Sequence, residues 1–352
     1  MTDATVTCSA AARALAERPI GSTGTQAGFM LIEWPLPWPR DVGDVEPLAL
    51  VVAAARRLDL RVQLIAGARA DRLSTVTLYR KPVGEDALFR AFARWTTSVP
   101  AGDIVGAALA LLVDSSSGDA PDDPAIDLLV CTHGKRDRCC GSLGTTLYQE
   151  LRQRSVPLGP TVRVWRTSHL GGHRFAPTAL VLPSGTMWAF MNGELIAQAV
   201  GSASPTDALL RHYRGCAGLQ SAAAQALEHA VIAQVGWDVT TSARRVEVDD
   251  TGGLRLTLTT SAGRTRQWTA EVSESGSIPA PKCGSSPDPG SDVVPQWSVD
   301  DLSEVAPTAF DCDELEATRQ LHSRPRFDQS AGPVSRRRPV GVRSRRLGDQ
   351  PE

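Results

Sequence analysis

The run Ile126–Cys131, IDLLVC, constrains the fold more than any other segment, because Asp127 is its single polar residue. A strand with apolar side chains on both faces needs cover on both faces, which a sheet with helices packed against each side provides. Other segments agree with an α/β class. Residues 27–33 (AGFMLIE), 61–66 (RVQLIA) and 75–79 (TVTLY) read as short buried strands by length and β-branched content. Residues 46–58 carry apolar positions at helical spacing, and EDALFRAFARW at 85–95 reads as an amphipathic helix. The stretch 114–124, DSSSGDAPDDP, reads as a linker or long loop before a second α/β unit.

In that second unit a helix is expected over 140–153, with Leu143, Leu147 and Leu151 on one face, followed by a strand at 162–165. TALVLP and TMWAFM flank a Ser184-Gly185 hairpin, and 193–200, 205–213 and 219–234 read as helices. VEVDD-TGG-LRLTLTT forms a second hairpin that QWTAEV continues, and linker composition sets in at about 273. The expected division is a small α/β module at 1–118, a second α/β domain at 119–235, a hairpin extension at 236–272 and a disordered tail at 273–352. That tail is acidic over 300–316 and arginine-rich over 335–346.

Composition narrows the function classes. The 352 residues are 42% hydrophobic and 22% charged with a net charge of -2, enough to build a core and unsuited to nucleic-acid binding by bulk positive charge. Apolar runs such as 107–113 are too short to span a membrane. The N-terminus lacks a basic region followed by an apolar core, so a cytoplasmic protein is expected. Seven cysteines cannot all pair within one chain, and in a reducing compartment thiols stay reduced.

The residues that carry chemistry lie in CTHGKRDRCCG at 131–141 and RTSHLGGHRFAP at 166–177. His169 and His173 are separated by three residues, two of them glycines that let the backbone bend until both imidazoles converge. Cys131 ends a strand, and Cys140 follows after eight intervening residues at an expected helix start, where a thiolate is favoured. Two thiolates and two imidazoles suit zinc or an iron–sulfur cluster. Structural zinc knuckles hold only two to four residues between cysteines, so an eight-residue loop suits a larger object such as a two-iron rhomb. His133 is expected to support the site by a hydrogen bond rather than to ligate. Cys139 stands beside Cys140 as a competing ligand or as half of a redox-active pair, although vicinal cysteines close a strained ring. Cys216 reads as a small buried residue, and Cys8, Cys283 and Cys312 as thiols without a part in the site. Arg136, Arg138, Arg166 and Arg174 flank both loops, where they could dock an acidic partner or stabilise thiolate charge.

The C-x8-C and H-x3-H pairs, with Arg136-Asp137 inside the first loop and Gly141 after it, resemble the sucrase/ferredoxin-like family. So do GTQAGFMLIEWPLPWPRD at 24–41, HLGGHRFAP and LPSGTMWAF, and the resemblance covers about residues 20–215. It implies a thioredoxin-like ferredoxin domain with a [2Fe-2S] cluster, Cys131 and Cys140 on one iron, His169 and His173 on the other. The family spacing favours Cys140 over Cys139. The implied function is one-electron transfer with a pH-coupled potential, serving an unidentified redox partner protein and involving no catalytic residue, nucleic acid or membrane. A structural zinc-binding adaptor and a thiol–disulfide oxidoreductase using Cys139 and Cys140 are the alternatives. No paired carboxylates in a glycosidase setting support the other half of the family name.

Overall fold

A computed structural model describes residues 7–67, 73–82, 88–114, 125–153, 158–280 and 293–307. The first half holds α1 (Cys8–Ala14), β1 (Gly28–Glu33), α2 (Ala49–Arg57), β2 (Leu60–Ala66), β3 (Leu73–Arg80), β4 (Ala93–Pro100), α3 (Ile104–Asp114) and β5 (Ile126–Cys131). A π-helical turn, Cys140–Gly144, then leads into α4 (Thr145–Arg152), β6 (Val162–Thr167), β7 (Ala179–Leu182), β8 (Thr186–Trp188), α5 (Gly193–Ala199), α6 (Asp207–Leu210), β9 (Tyr213–Cys216) and α7 (Ala222–Val235). The last elements are β10 (Ala243–Val248), β11 (Leu254–Thr259), β12 (Thr265–Pro279) and β13 (Val293–Val305). This is the expected mixed α/β class. Among the described residues no helix is long and apolar enough to cross a membrane.

The first nine strands form one sheet in the order β4-β3-β1-β2-β6-β5-β7-β8-β9. The segments expected as separate modules at 1–118 and 119–235 therefore share a sheet, joined where β2 runs antiparallel to β6 through Ile65–Thr167 and Ala66–Arg166. Strand β1 shows how both faces are covered. Its alternate residues Met30 and Ile32 join Leu48, Val51, Ile104 and Ala108 in one core, while Phe29 and Leu31 join a larger core on the other face. Cys131, Cys139 and Cys140 belong to the larger core.

Three expected helices change. Residues 83–87 lie outside the described residues, and the rest of the helix expected over 85–95 does not form. Instead β4 begins at Ala93 and pairs with β3. Phe89 and Phe92 are buried edge-on at 4.9 Å and Phe92 meets Phe29 at 5.6 Å, so tertiary burial of the aromatics overrides the local helical spacing. Leu143 is 39% exposed while Leu147 and Leu151 are buried, because the π-helical turn rotates Leu143 off their stripe. The helix expected over 205–213 shortens to α6, since Tyr213 opens β9.

The tail expected from 273 is in part ordered: residues 273–279 continue β12, which pairs with β13 in an antiparallel sheet of order β10-β11-β12-β13. Cross-strand hydrogen bonds supply the order that local composition lacks, and Glu304 of the acidic block accepts from Arg266 at 2.7 and 2.8 Å. Of the linker expected at 114–124 only Asp114 is described, as the last residue of α3; residues 115–124, the acidic residues beyond 307 and the arginines at 335–346 lie outside the described residues.

Buried charge ties α7, β9 and β10 together. Glu228 accepts from Arg244 Nε at 2.5 Å and from Tyr213 Oη at 2.7 Å, with both charged side chains fully inaccessible. Arg244 also exchanges backbone hydrogen bonds with Phe89. Removing one partner strands a buried charge, which costs about 3–5 kcal/mol. Glu228→Leu is therefore expected to lower the urea midpoint steeply, and Glu228→Leu with Arg244→Met to recover most of it. A single-variant loss below about 1 kcal/mol would contradict this account.

Candidate metal centre

Two loops leave the carboxyl ends of the parallel strands β5 and β6. Their register sets Cys131 opposite Thr167, so both loops emerge side by side at the edge where open α/β sheets bind ligands. The first loop returns to its origin through close backbone contact. A Cβ on Gly141 would lie 2.5 Å from Gly134 Cα, and one on Gly144 would run into the Cys131 carbonyl. Glycine at these positions lets the helix start press against the strand end and brings Cys140 back to Cys131.

The second loop turns through Gly171 and Gly172, at φ of 86° and 66°, a left-handed conformation that glycine adopts without strain. Two arginines hold its carbonyls: Arg61 donates to His169 O, and the buried Arg214 donates to Gly171 O at 3.1 Å. His133 braces the same loop. Its Nδ1 accepts from the His169 amide at 3.2 Å and its Nε2 donates to Pro39 O at 2.8 Å. Trp38 of the proline-rich turn packs edge-on against the His133 ring at 5.9 Å.

One donor atom each from Cys131, Cys140 and His169 lies within 4.8 Å of the other two. His173 stands further along, with its ring 6.3 Å from that of His169. Asp137 faces both imidazoles, Oδ2 at 3.2 Å from His169 Nδ1 and Oδ1 at 3.4 Å from His173 Nδ1. The His169 contact is not aligned as a hydrogen bond, which leaves Nδ1 buried and unsatisfied. That orphaned nitrogen belongs to a ring that offers a donor atom within 4.8 Å of both thiols, and the donor set fits a thiophilic metal or cluster.

Cys131 is held well below the usual thiol range, chiefly by a hydrogen bond from Cys140 and further by His169 and the His133 backbone amide. Cys140 is pushed far up by the same hydrogen bond and by burial. A bound cation would expel the remaining proton. The sulfurs are buried, whereas the side chains of His169 and His173 are 19% and 23% exposed, so the imidazoles form the solvent-facing side.

Cys139 and Cys140 have different partners. Cys139 Sγ lies 3.0 Å from Cys8 Sγ, and Cys8 Sγ lies 3.0 Å from His173 Nδ1. Cys8, expected to stand apart, is 1% exposed and opens α1, which docks on the second loop through Ser9 Oγ to Ala176 O at 2.8 Å and Arg174 to Glu17 at 2.7 Å. Nothing in the sequence around Cys8 signals this, since the chain returns to it only 131 residues later. Arg61 and Arg214 lacked a signal for the same reason. Cys216 is fully buried, and burial pushes its thiol up to about 11, in keeping with a packing role. Cys283 and Cys312 lie outside the described residues. Among the flanking arginines, Arg166 donates to Thr132 Oγ1 at 3.2 Å and Arg136 faces Asp41 at 3.8 Å.

A mixed α/β sheet with a cysteine–histidine donor set at its carboxyl edge defines a candidate metal protein. Residues 19–215, more than half of the chain, match the family model described as sucrase/ferredoxin-like, and the chain belongs to that family. No curated protein and no solved structure matches it.

Gly144→Ala is expected to lower both the thermal midpoint and the metal content, at a cost of ~1–3 kcal/mol or more for overpacking against a carbonyl. Unchanged values for both would refute the close-approach argument. Histidine burial sets a pH dependence. His133, His173, His212 and His229 all have pKa values lowered from 6.5 by desolvation. Below about 6.5 the unfolded chain takes up protons that the folded chain refuses, so stability falls as the pH drops. Thermal unfolding at pH 7.5 and 5.5 is expected to show the lower midpoint at 5.5, with a smaller drop in His212→Gln/His229→Gln. A midpoint that holds or rises would count against it.

Proposed function

We propose that the protein is a one-electron carrier that holds a [2Fe-2S] cluster through Cys131, Cys140, His169 and His173. The observation that carries this reading is the convergence of Cys131, Cys140 and His169 within 4.8 Å, with His173 on the same glycine-bent loop. A two-iron group is wider than a single ion, which accounts for a fourth donor set further out. Such a group supplies a single reversible electron, and the residues around it determine when and to whom.

Cys131 and Cys140 lie in the core, out of reach of water, and act as the buried anchor. His169 and His173 present partly exposed ring edges, a short path for an electron and for a proton. Neutral imidazoles in place of two thiolates remove negative charge. That favours a potential in the range of about -150 to +300 mV known for such ligation, against about -400 mV for all-cysteine plant-type ferredoxins. Ring protons open to solvent make the potential fall as the pH rises. A cavity of about 390 Å³ beside His169 is lined by Arg40, Arg56, Arg61 and Arg136, against Asp41 and Asp59. This excess of positive charge suits an acidic redox partner, and the reduced thiols suit a cytoplasmic setting.

A zinc-binding adaptor is the second reading, favoured by the compactness of the Cys131–Cys140–His169 triad, which a single zinc could take with one further ligand. Anaerobic purification with metal and sulfide analysis separates the two. The carrier reading expects a coloured protein with about two irons and about two acid-labile sulfides per chain. It expects that colour to survive Cys139→Ser and to be lost in Cys140→Ser and His169→Ala. A colourless zinc protein would overturn it, and a potential that ignores pH would exclude histidine ligation.

A further inference from the structure

The thiols of Cys8 and Cys139 face each other at 3.0 Å, and neither belongs to the Cys131–Cys140–His169 donor set. They come from elements with different mobility constraints. Cys139 precedes the π-helical turn that Gly141 and Gly144 press against the Cys131 strand end. Cys8 opens a seven-residue helix whose Ser9 donates to Ala176 O, and Glu17, just beyond that helix, accepts from Arg174. Both are buried, at 1% exposure each, so local opening of α1 is the way in for a small oxidant.

The geometry points to Cys8 and Cys139 as a reversible dithiol–disulfide pair, oxidised by hydroperoxide and distinct from the metal donors. The sulfurs are already within about 1 Å of the disulfide bond length of ~2.05 Å, so small side-chain rotations suffice. The Cys8 thiol attacks hydrogen peroxide, the O–O bond breaks, and Cys8 sulfenic acid and one water form. The Cys139 sulfur then attacks the sulfenic sulfur, the S–S bond forms, and the hydroxyl leaves as a second water. The two thiols give up two electrons and two protons, and the peroxide is reduced to two waters. A dithiol reductant reverses the step. The bond would clamp α1 onto the first loop and withdraw the Cys8 thiol from His173 Nδ1, leaving Asp137 Oδ1 3.4 Å from that nitrogen.

This inference does not depend on which metal the neighbouring donors hold. The test uses the full chain as purified anaerobically with its metal, treated with about one equivalent of hydrogen peroxide and compared with a dithiothreitol-treated sample. After denaturation with chelator, alkylation and trypsin digestion, peptide 1–13 is expected linked to peptide 139–152. Fragmentation should assign the bond to Cys139, and alkylatable thiols should fall by two of the seven. Cys8→Ser should abolish the link while keeping the metal content of the unaltered chain. A link through Cys131 or Cys140, sulfinic acid at Cys8 without a link, or no link under excess peroxide would overturn the inference. Metal and sulfide content are read on the same sample. A zinc protein that still forms the Cys8–Cys139 bond overturns the cluster reading and supports this one.

Discussion

The parallel pairing of β5 with β6 is the constraint on which the site depends. Because Cys131 stands opposite Thr167, the two chemistry-bearing loops leave the sheet at one edge and in one direction. An antiparallel pairing would send them to opposite ends of the sheet. Buried polar contacts pin the start of the same pair. Asp127 accepts from Arg163 at 2.7 and 2.8 Å, from Trp165 at 2.7 Å and from Tyr79 at 2.5 Å, linking β5 to β6 and to β3. The one polar residue of this strand is thus the one that holds its neighbours in place, and its hydrogen bonds offset the cost of burying its charge.

The site divides its work by burial. Sulfur donors sit in the core, while the partly exposed imidazoles sit on a loop whose carbonyls two arginines hold. Burial of Arg214 brings its pKa down to about 9, so holding that guanidinium in the interior is costly. Together Arg61 and Arg214 form a cationic scaffold around the loop. The helix α1 completes the arrangement from the far side, where Cys8 meets both Cys139 and His173.

Much of the architecture was legible because local pattern and tertiary demand coincide. The apolar runs at 28–33, 60–66 and 126–131 are strands buried on both faces, and the Ser184-Gly185 turn joins β7 to β8. Where the two demands part, local pattern misleads. Phe89 and Phe92 mimic a helical stripe but are spent on core contacts, and one π-helical turn takes Leu143 out of its stripe. Residues 273–279 have linker composition and 300–305 belong to the acidic block, yet the antiparallel pairing of β12 with β13 makes both parts of strands.

The sequence by itself determined which donor types the two loops carry. Two cysteines and two histidines at those spacings, with glycines between, restrict the donors to soft and borderline ligands on two short loops, because spacing and glycine content are local properties. Only the tertiary structure decided which donors meet. It gave Cys140 to Cys131 and Cys139 to Cys8. It also recruited Arg61, Arg214 and α1 to hold the loops. Those outcomes depend on contacts between residues far apart in the chain, which register and packing create and which no local pattern encodes.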